Sequence, residues 1–285
     1  MPVEIRAFFH EPTHSVAYLV WDGDTRRAAI IDSVLDYDGA AAKTSTAFVD
    51  TIAEAVTDER LQVDWLLETH IHADHMAGIH ALQEKVGGKT AIGAGIEQVQ
   101  RTFKDIFDLD DVTPDGSQFD RLLADGERLP LGNLAIEAIA TPGHTPGFTS
   151  YLIDGAVFVG DTLLMPDYGT ARADFPGGDA TLLYRSIHRL FQLPDDTRVF
   201  VGHDYKAPGR ANFAWETTMA EQRAHNIHIH AGIGEAEFVN MRVERDKTLT
   251  LPTLMLPSLQ VNVRAGRLPP AENGTRYFKI PINKF

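Results

Sequence analysis

An α/β sandwich, with two mixed β-sheets inside and helices on the outer faces, is the fold class that this sequence predicts. Three observations lead there. Short β-branched strands alternate with segments of helical periodicity, strands followed by helices occur in both halves, and no linker-like stretch separates those halves. All 285 residues are therefore expected to form one domain, with a C-terminal extension from about residue 209.

The elements follow in order. Residues 16–21 and 28–31 are apolar and β-branched and flank Asp22-Gly23-Asp24, so they predict a hairpin. Phe48, Ile52 and Val56 recur at four-residue spacing, which gives a helix with one buried face. Residues 63–67 form an apolar strand running straight into a histidine-rich cluster, and residues 76–86 predict a helix stopped at Gly87-Gly88. Ile96, Val99, Phe103 and Ile106 mark another helix. In the second half, residues 134–139 alternate as a strand does. Asp154-Gly155, between residues 150–153 and 156–159, is the strongest short hairpin signal in the chain. Leu183, Ile187, Leu190 and Phe191 line one helix face, and residues 198–201 give a further strand. Beyond Gly209 the pattern is helical and then irregular, with Pro252, Pro257, Pro269, Pro270 and Pro281.

Composition excludes several function classes. Apolar residues make up 44% and charged residues 23%, ordinary for a globular protein that buries a substantial core. A net charge of −14 argues against nucleic acid or an anionic membrane as the main partner. There is no cysteine, so disulfides and thiolate-ligated metals are absent. No apolar run approaches the roughly 18 residues of a membrane span, and the N-terminus lacks a secretory pattern. The cytoplasm is the expected address, and a homodimer is the commonest state for such a chain.

The chemistry is concentrated in a few loops. His70, His72, Asp74 and His75 offer four potential metal ligands within six residues, directly after an apolar strand. His70 and His72 stand two apart, so an extended backbone points both the same way. Asp74 and His75 fall where a helix is expected to begin and face the same space from its first turn. Three further candidates occupy turns after strands: His144 in Pro142-Gly143-His144, Asp161 in Gly160-Asp161-Thr162, and His203 in Gly202-His203-Asp204. Each taken singly has a bland explanation, as a turn cap, a helix cap or a surface residue. Their recurrence in one local context favours convergence on one edge of the sheets. Imidazole and carboxylate donors without thiolate suit zinc, iron or manganese.

In order and approximate spacing these residues resemble the metallo-β-lactamase superfamily, over about residues 1–203. The resemblance implies the αββα sandwich of that family. It also implies one metal site at His70, His72 and His144 and a second at Asp74, His75 and His203, with Asp161 able to bridge. Two other stretches, Gly160-Asp161-Thr162-Leu163-Leu164-Met165-Pro166-Asp167-Tyr168-Gly169-Thr170-Ala171-Arg172-Ala173-Asp174-Phe175-Pro176-Gly177-Gly178 and Leu256-Pro257-Ser258-Leu259-Gln260-Val261-Asn262-Val263-Arg264-Ala265-Gly266, are similar to the persulfide (sulfur) dioxygenases. That second resemblance implies one Fe(II) per chain, held by His70, His144 and Asp161 as the catalytic centre. His72, Asp74, His75 and His203 would then support them. It further implies glutathione persulfide and O₂ as substrates, with sulfite and glutathione as products.

Arg172, Tyr205 and Lys206 flank the metal-bearing loops and are candidates for binding the glutathione carboxylates, unless Arg172 instead pairs with Asp174. Relatives often carry cysteine where this chain has Ala173, which is not a ligand position. His225, His228 and His230 match no ligand position of the family and are expected to be surface or packing residues. The same seven ligands leave open a dinuclear zinc hydrolase of the glyoxalase II kind, acting on a glutathione thioester. A non-catalytic metal-binding or sensor protein is a third reading, disfavoured because seven convergent polar groups need a reason.

Overall fold

Two six-stranded sheets stack face to face in the structure, a computed structural model that describes residues 3–285. The first runs Val3–His10, Ser15–Asp22, Arg27–Ile31, Gln62–Leu67, Lys89–Gly93, Arg121–Leu123 across its width. The second runs Arg128–Leu131, Leu134–Ala140, Thr149–Ile153, Ala156–Gly160, Arg198–Val201, Glu216–Thr218. Both are mixed, with hairpins at one side and crossover helices making the parallel pairs.

Side-chain alternation explains the layering. In Ser15–Asp22, Val16, Tyr18 and Val20 point between the sheets, where they meet Tyr151, Phe158 and Phe200 of the second sheet. Ala17, Leu19 and Trp21 point outward, into a cluster with the helices Ala47–Asp58, Ile79–Val86 and Ile96–Phe107. The outer face of the second sheet, carrying Val157, Val159, Val199 and Val201, is covered by Leu183, Ile187 and Leu190 of the helix Ala180–Leu190. The result is the αββα sandwich. Each fully buried Leu or Ile in these layers contributes on the order of 2 kcal/mol.

Local signals behave as their chemistry dictates. The turn at Asp154 and Gly155 has φ of 46° and 77°, the left-handed pair that a two-residue hairpin requires. Asp179 caps the helix Ala180–Leu190 by accepting from the backbone N–H groups of Thr181 (2.7 Å) and Leu182 (3.0 Å).

Two expectations need correction. The helix after the histidine cluster starts at Ile79, and residues 68–75 form a loop, because Met76–Ala77 pairs with Val34 and Leu35 as a short strand. The tail is also more regular than its prolines suggest. The helix Met255–Asn262 includes Pro257 near its start, where a missing N–H is harmless, and it delivers Met255 and Leu259 to the core. Phe238, from the helix Glu235–Asp246, likewise enters the cluster under the second sheet. No helix among the described residues is long and apolar enough to cross a membrane.

Candidate metal centre

Four strand ends deliver the seven ligand candidates to one edge of the sandwich. Gln62–Leu67 leads into His70, His72, Asp74 and His75; Leu134–Ala140 precedes His144; Ala156–Gly160 precedes Asp161; Arg198–Val201 precedes His203. Glycine makes the approach possible at two of them. Gly143 has a φ of 144°, and a Cβ there would lie 2.3 Å from the Leu183 backbone. Gly160 has a φ of 47°, and a Cβ there would meet Phe148 and Thr69 Oγ1 at 2.7 Å.

The candidates fall into two adjoining groups. His70, His144 and Asp161 present donor atoms within 4.8 Å of one another, and so do His72, Asp74, His75 and His203. Asp161 joins the groups. Its Oδ2 lies 3.8 Å from His70 Nε2 and 3.7 Å from His144 Nε2, while its Oδ1 lies 3.4 Å from His203 Nε2. Asp74 Oδ2 is 3.2 Å from His75 Nδ1 and 3.5 Å from His203 Nε2. His72 lies between the groups, its ring centroid 4.0 Å from that of His70 and 4.2 Å from that of His75.

Orphaned atoms test whether a cation fits. His70 Nε2, His72 Nδ1, His75 Nε2 and Asp161 Oδ1 are buried and make no hydrogen bond among the described residues. Buried polar atoms are rarely left so, and a divalent ion satisfies such atoms at once. The opposite ring edges are held by protein: His144 Nδ1 is 2.7 Å from the Arg172 carbonyl, and His70 Nδ1 is 3.0 Å from Thr69 Oγ1. A histidine that donates from one nitrogen has its other free for a metal.

Two residues of the centre escaped the sequence reading. Asp32 and Glu68 are buried beneath it, with Asp32 Oδ1 3.2 Å and Glu68 Oε2 3.3 Å from His72 Nε2. Asp32 also accepts from Thr69 N (2.7 Å) and Thr69 Oγ1 (2.8 Å). The only signal was an acid at the end of each of two apolar strands, Ile31-Asp32 and Leu67-Glu68.

Electrostatics follow from this packing. Burial pushes His70 well below its ordinary pKa, and the His72 and His144 charges add to it. Burial lowers His144 as well, and lowers His75 to about 4 with help from His72. For His72, burial is outweighed by Asp32 and Glu68, which hold it well above the usual range. Burial raises Glu68 to about 7. Imidazoles kept neutral in this way are ready to ligate, and an ion would compete with the His72 proton for its inner nitrogen.

A cavity of about 440 Å³ opens above the centre, with His144 and Asp161 at its floor. Tyr205 lines it and stacks on His203, ring centroids 5.7 Å apart and planes within 5°. Arg172 also lines it, yet its guanidinium is committed. It donates to Asp174 (2.6 and 2.8 Å) and to the Thr250 carbonyl (2.7 Å), and it lies over the Phe175 ring. Arg172 thus makes the ion pair with Asp174 that the sequence offered as an alternative. Lys206 is not among the lining residues; its ammonium lies over Phe213.

The tail braces the centre. Asn262 donates to the carbonyls of His72 and His75 (both 2.8 Å) and accepts from Ala77 N (2.7 Å). Asp246 accepts from Ala173 N (2.9 Å) and pairs with Arg242, itself buried, which donates to the Thr170 carbonyl (3.0 Å). His228 is buried against the same loop, its Nδ1 accepting from Thr170 N (3.0 Å), whereas His225 and His230 are exposed.

The profile of the metallo-β-lactamase superfamily matches residues 10–203, the span that carries all seven ligand candidates. The chain belongs to that superfamily. Within it, two relatives are each 49% identical. A probable metallo-hydrolase of Burkholderia pseudomallei aligns over 98% of this chain and 99% of its own length. Glyoxylase B2 of Dictyostelium discoideum aligns over 93% and 92%. The mitochondrial persulfide dioxygenase ETHE1 of Homo sapiens is 30% identical over 72% of this chain and 69% of its own. The crystal structure of ETHE1 from Myxococcus xanthus superposes with a TM-score of 0.74 at 30% identity, covering 93% of this chain and 100% of that one.

Proposed function

We propose that this superfamily member is a mononuclear iron persulfide dioxygenase, which oxidises glutathione persulfide with O₂ and water to glutathione and sulfite. The balance is RSSH + O₂ + H₂O giving RSH and H₂SO₃, with the outer sulfur losing four electrons to O₂. What carries the reading is the grouping of His70, His144 and Asp161 within 4.8 Å of one another. Two imidazoles and one carboxylate on one face are the donor set of non-heme Fe(II), which supplies one-electron and O₂ chemistry when bound. The likeness to ETHE1 proteins in sequence and structure adds support.

The chain's own groups then orient and exclude. The Arg172 carbonyl fixes the His144 ring, and the Asp32–Glu68 pair fixes the His72 ring, each from the side away from the centre. Tyr168 and Tyr205, with ring centroids 5.3 Å apart, wall the cavity and limit solvent beside the reacting sulfur.

A second reading has its own support. His203 and Asp74 crowd Asp161 Oδ1 and His75 as the second half of a dinuclear zinc site would, and the relatives at 49% identity are named a metallo-hydrolase and a glyoxylase. Such a site would hydrolyse a glutathione thioester.

Metal content separates the two. Protein purified anaerobically from cells given both metals should carry about one iron per chain and little zinc, and should consume O₂ with glutathione persulfide. His70→Ala should then lose the metal, while Asp74→Ala and His203→Ala should retain most of it. Two zinc ions per chain, one of them lost in Asp74→Ala together with thioesterase activity, would establish the hydrolase instead.

A further inference from the structure

The cavity above the metal centre is lined by three guanidinium groups, and two of them are already engaged: Arg172 by Asp174 and Thr250, Arg242 by Asp246 and Thr170. Arg245 differs. It lines the same cavity from the end of the helix Glu235–Asp246, it is solvent-exposed, and its side chain makes no hydrogen bond or ion pair among the described residues. The acids beside it in sequence are occupied, since Glu244 is held by Lys247 at 2.6 Å and Asp246 by Arg242. The carboxylates of the cavity, Asp74 and Asp161, belong to the metal centre.

In a chain of net charge −14, an unpaired guanidinium on the wall of a concave site is a local attraction for an anion, set apart from the metal centre at the floor. A second feature of the same wall asks for a ligand. Leu249 and Leu251 line the cavity and are 38% and 46% exposed, an apolar rim that a bound molecule would cover.

We propose that Arg245 binds a carboxylate of the substrate, and that the site therefore selects carboxylate-bearing thiol derivatives over neutral ones. This rests on the glutathione-linked reading above and gives it an anchor. With its sulfur at the metal centre, the ligand would lie along Leu249 and Leu251 and place a carboxylate at the guanidinium, which can donate two parallel hydrogen bonds to it. Arg172 serves the wall itself and is not the anchor.

Reduced glutathione tests this, because it is a product of both the oxidation and the thioester hydrolysis. Its binding to the metal-loaded protein is measured by calorimetry for the wild type, Arg245→Gln and Arg245→Lys, with glutathione diethyl ester as the carboxylate-blocked probe. Arg245→Gln should weaken glutathione about five- to tenfold, as expected for a partly exposed charge-assisted contact. Arg245→Lys should recover part of the loss, and the diethyl ester should bind the wild type and Arg245→Gln equally. Equal glutathione binding by wild type and Arg245→Gln would overturn the assignment of Arg245 alone. A wild type that binds no glutathione would overturn the glutathione-linked reading, and this inference with it. Because Arg245 is exposed and unpaired, its replacement leaves the fold intact, which an unchanged melting temperature verifies.

Discussion

Asp246→Ala should damage the protein in two measurable ways. The carboxylate sits in the helix Glu235–Asp246, where one oxygen takes Arg242 (Nε at 2.9 Å, Nη2 at 2.6 Å) and the other accepts from Ala173 N at 2.9 Å. Arg242 is 1% exposed, so the substitution leaves a buried cation without its counter-ion and a buried backbone donor without an acceptor. Breaking such a pair from one side costs about 3–5 kcal/mol. Against a total stability on the order of 5–15 kcal/mol, that is a large fraction. Release of Ala173 also loosens the neighbouring Arg172 carbonyl that orients His144, so metal affinity should fall about tenfold. Guanidinium denaturation of the metal-loaded protein reads the first effect, and competition with a chelator of known affinity reads the second. Lys247→Ala removes an ion pair whose members are 62% and 73% exposed and should change stability by less than about 1 kcal/mol. The double replacement Arg242→Met with Asp246→Leu should recover part of the loss, because it removes the buried charge as well. A stability change in Asp246→Ala as small as that of Lys247→Ala, with metal affinity unaltered, would refute the idea that the tail holds His144 in place.

Two further outcomes follow from the geometry. Gly143→Ala should cost about 3 kcal/mol and impair metal binding, because the new Cβ meets the Leu183 backbone at 2.3 Å beside His144; denaturation and metal analysis check both. Burial and the nearby Arg242 and Arg245 hold His228 down to about 4, against 6.5 when unfolded. As pH falls from 6.5 towards 4, the unfolded chain takes up a proton that the folded chain refuses, so stability from this group is full above 6.5 and lost below it. His228→Asn keeps an acceptor for Thr170 N but has nothing to protonate, so its melting temperature should fall less steeply than that of the wild type across that window.

The sequence made the first layer of the centre legible because local rules govern it. An apolar strand followed by His-x-His fixes side-chain direction, and glycine before Asp161 and His203 announces a turn. Asp154-Gly155 specified its hairpin for the same reason. What stayed hidden depends on distant pairing. Met76–Ala77 reads as the start of a helix, yet Val34 and Leu35 take it into a strand. Asp32 meets His72 across 40 residues of sequence, and no periodicity reports that contact. Arg172 was readable only as two alternatives, and the position of Thr250, far along the chain, favours the structural one. The αββα layering was visible throughout, since each strand's alternation records which faces are covered.

Asn262 carries a consequence for how the protein comes into being. A nascent chain that has emerged as far as His203 already holds every side chain capable of gripping the ion. It does not yet hold the amide that fastens the carbonyls of His72 and His75, nor the carboxylate that fastens Ala173. The loops that carry the ligands are therefore fastened only once the last quarter of the chain has folded back against them.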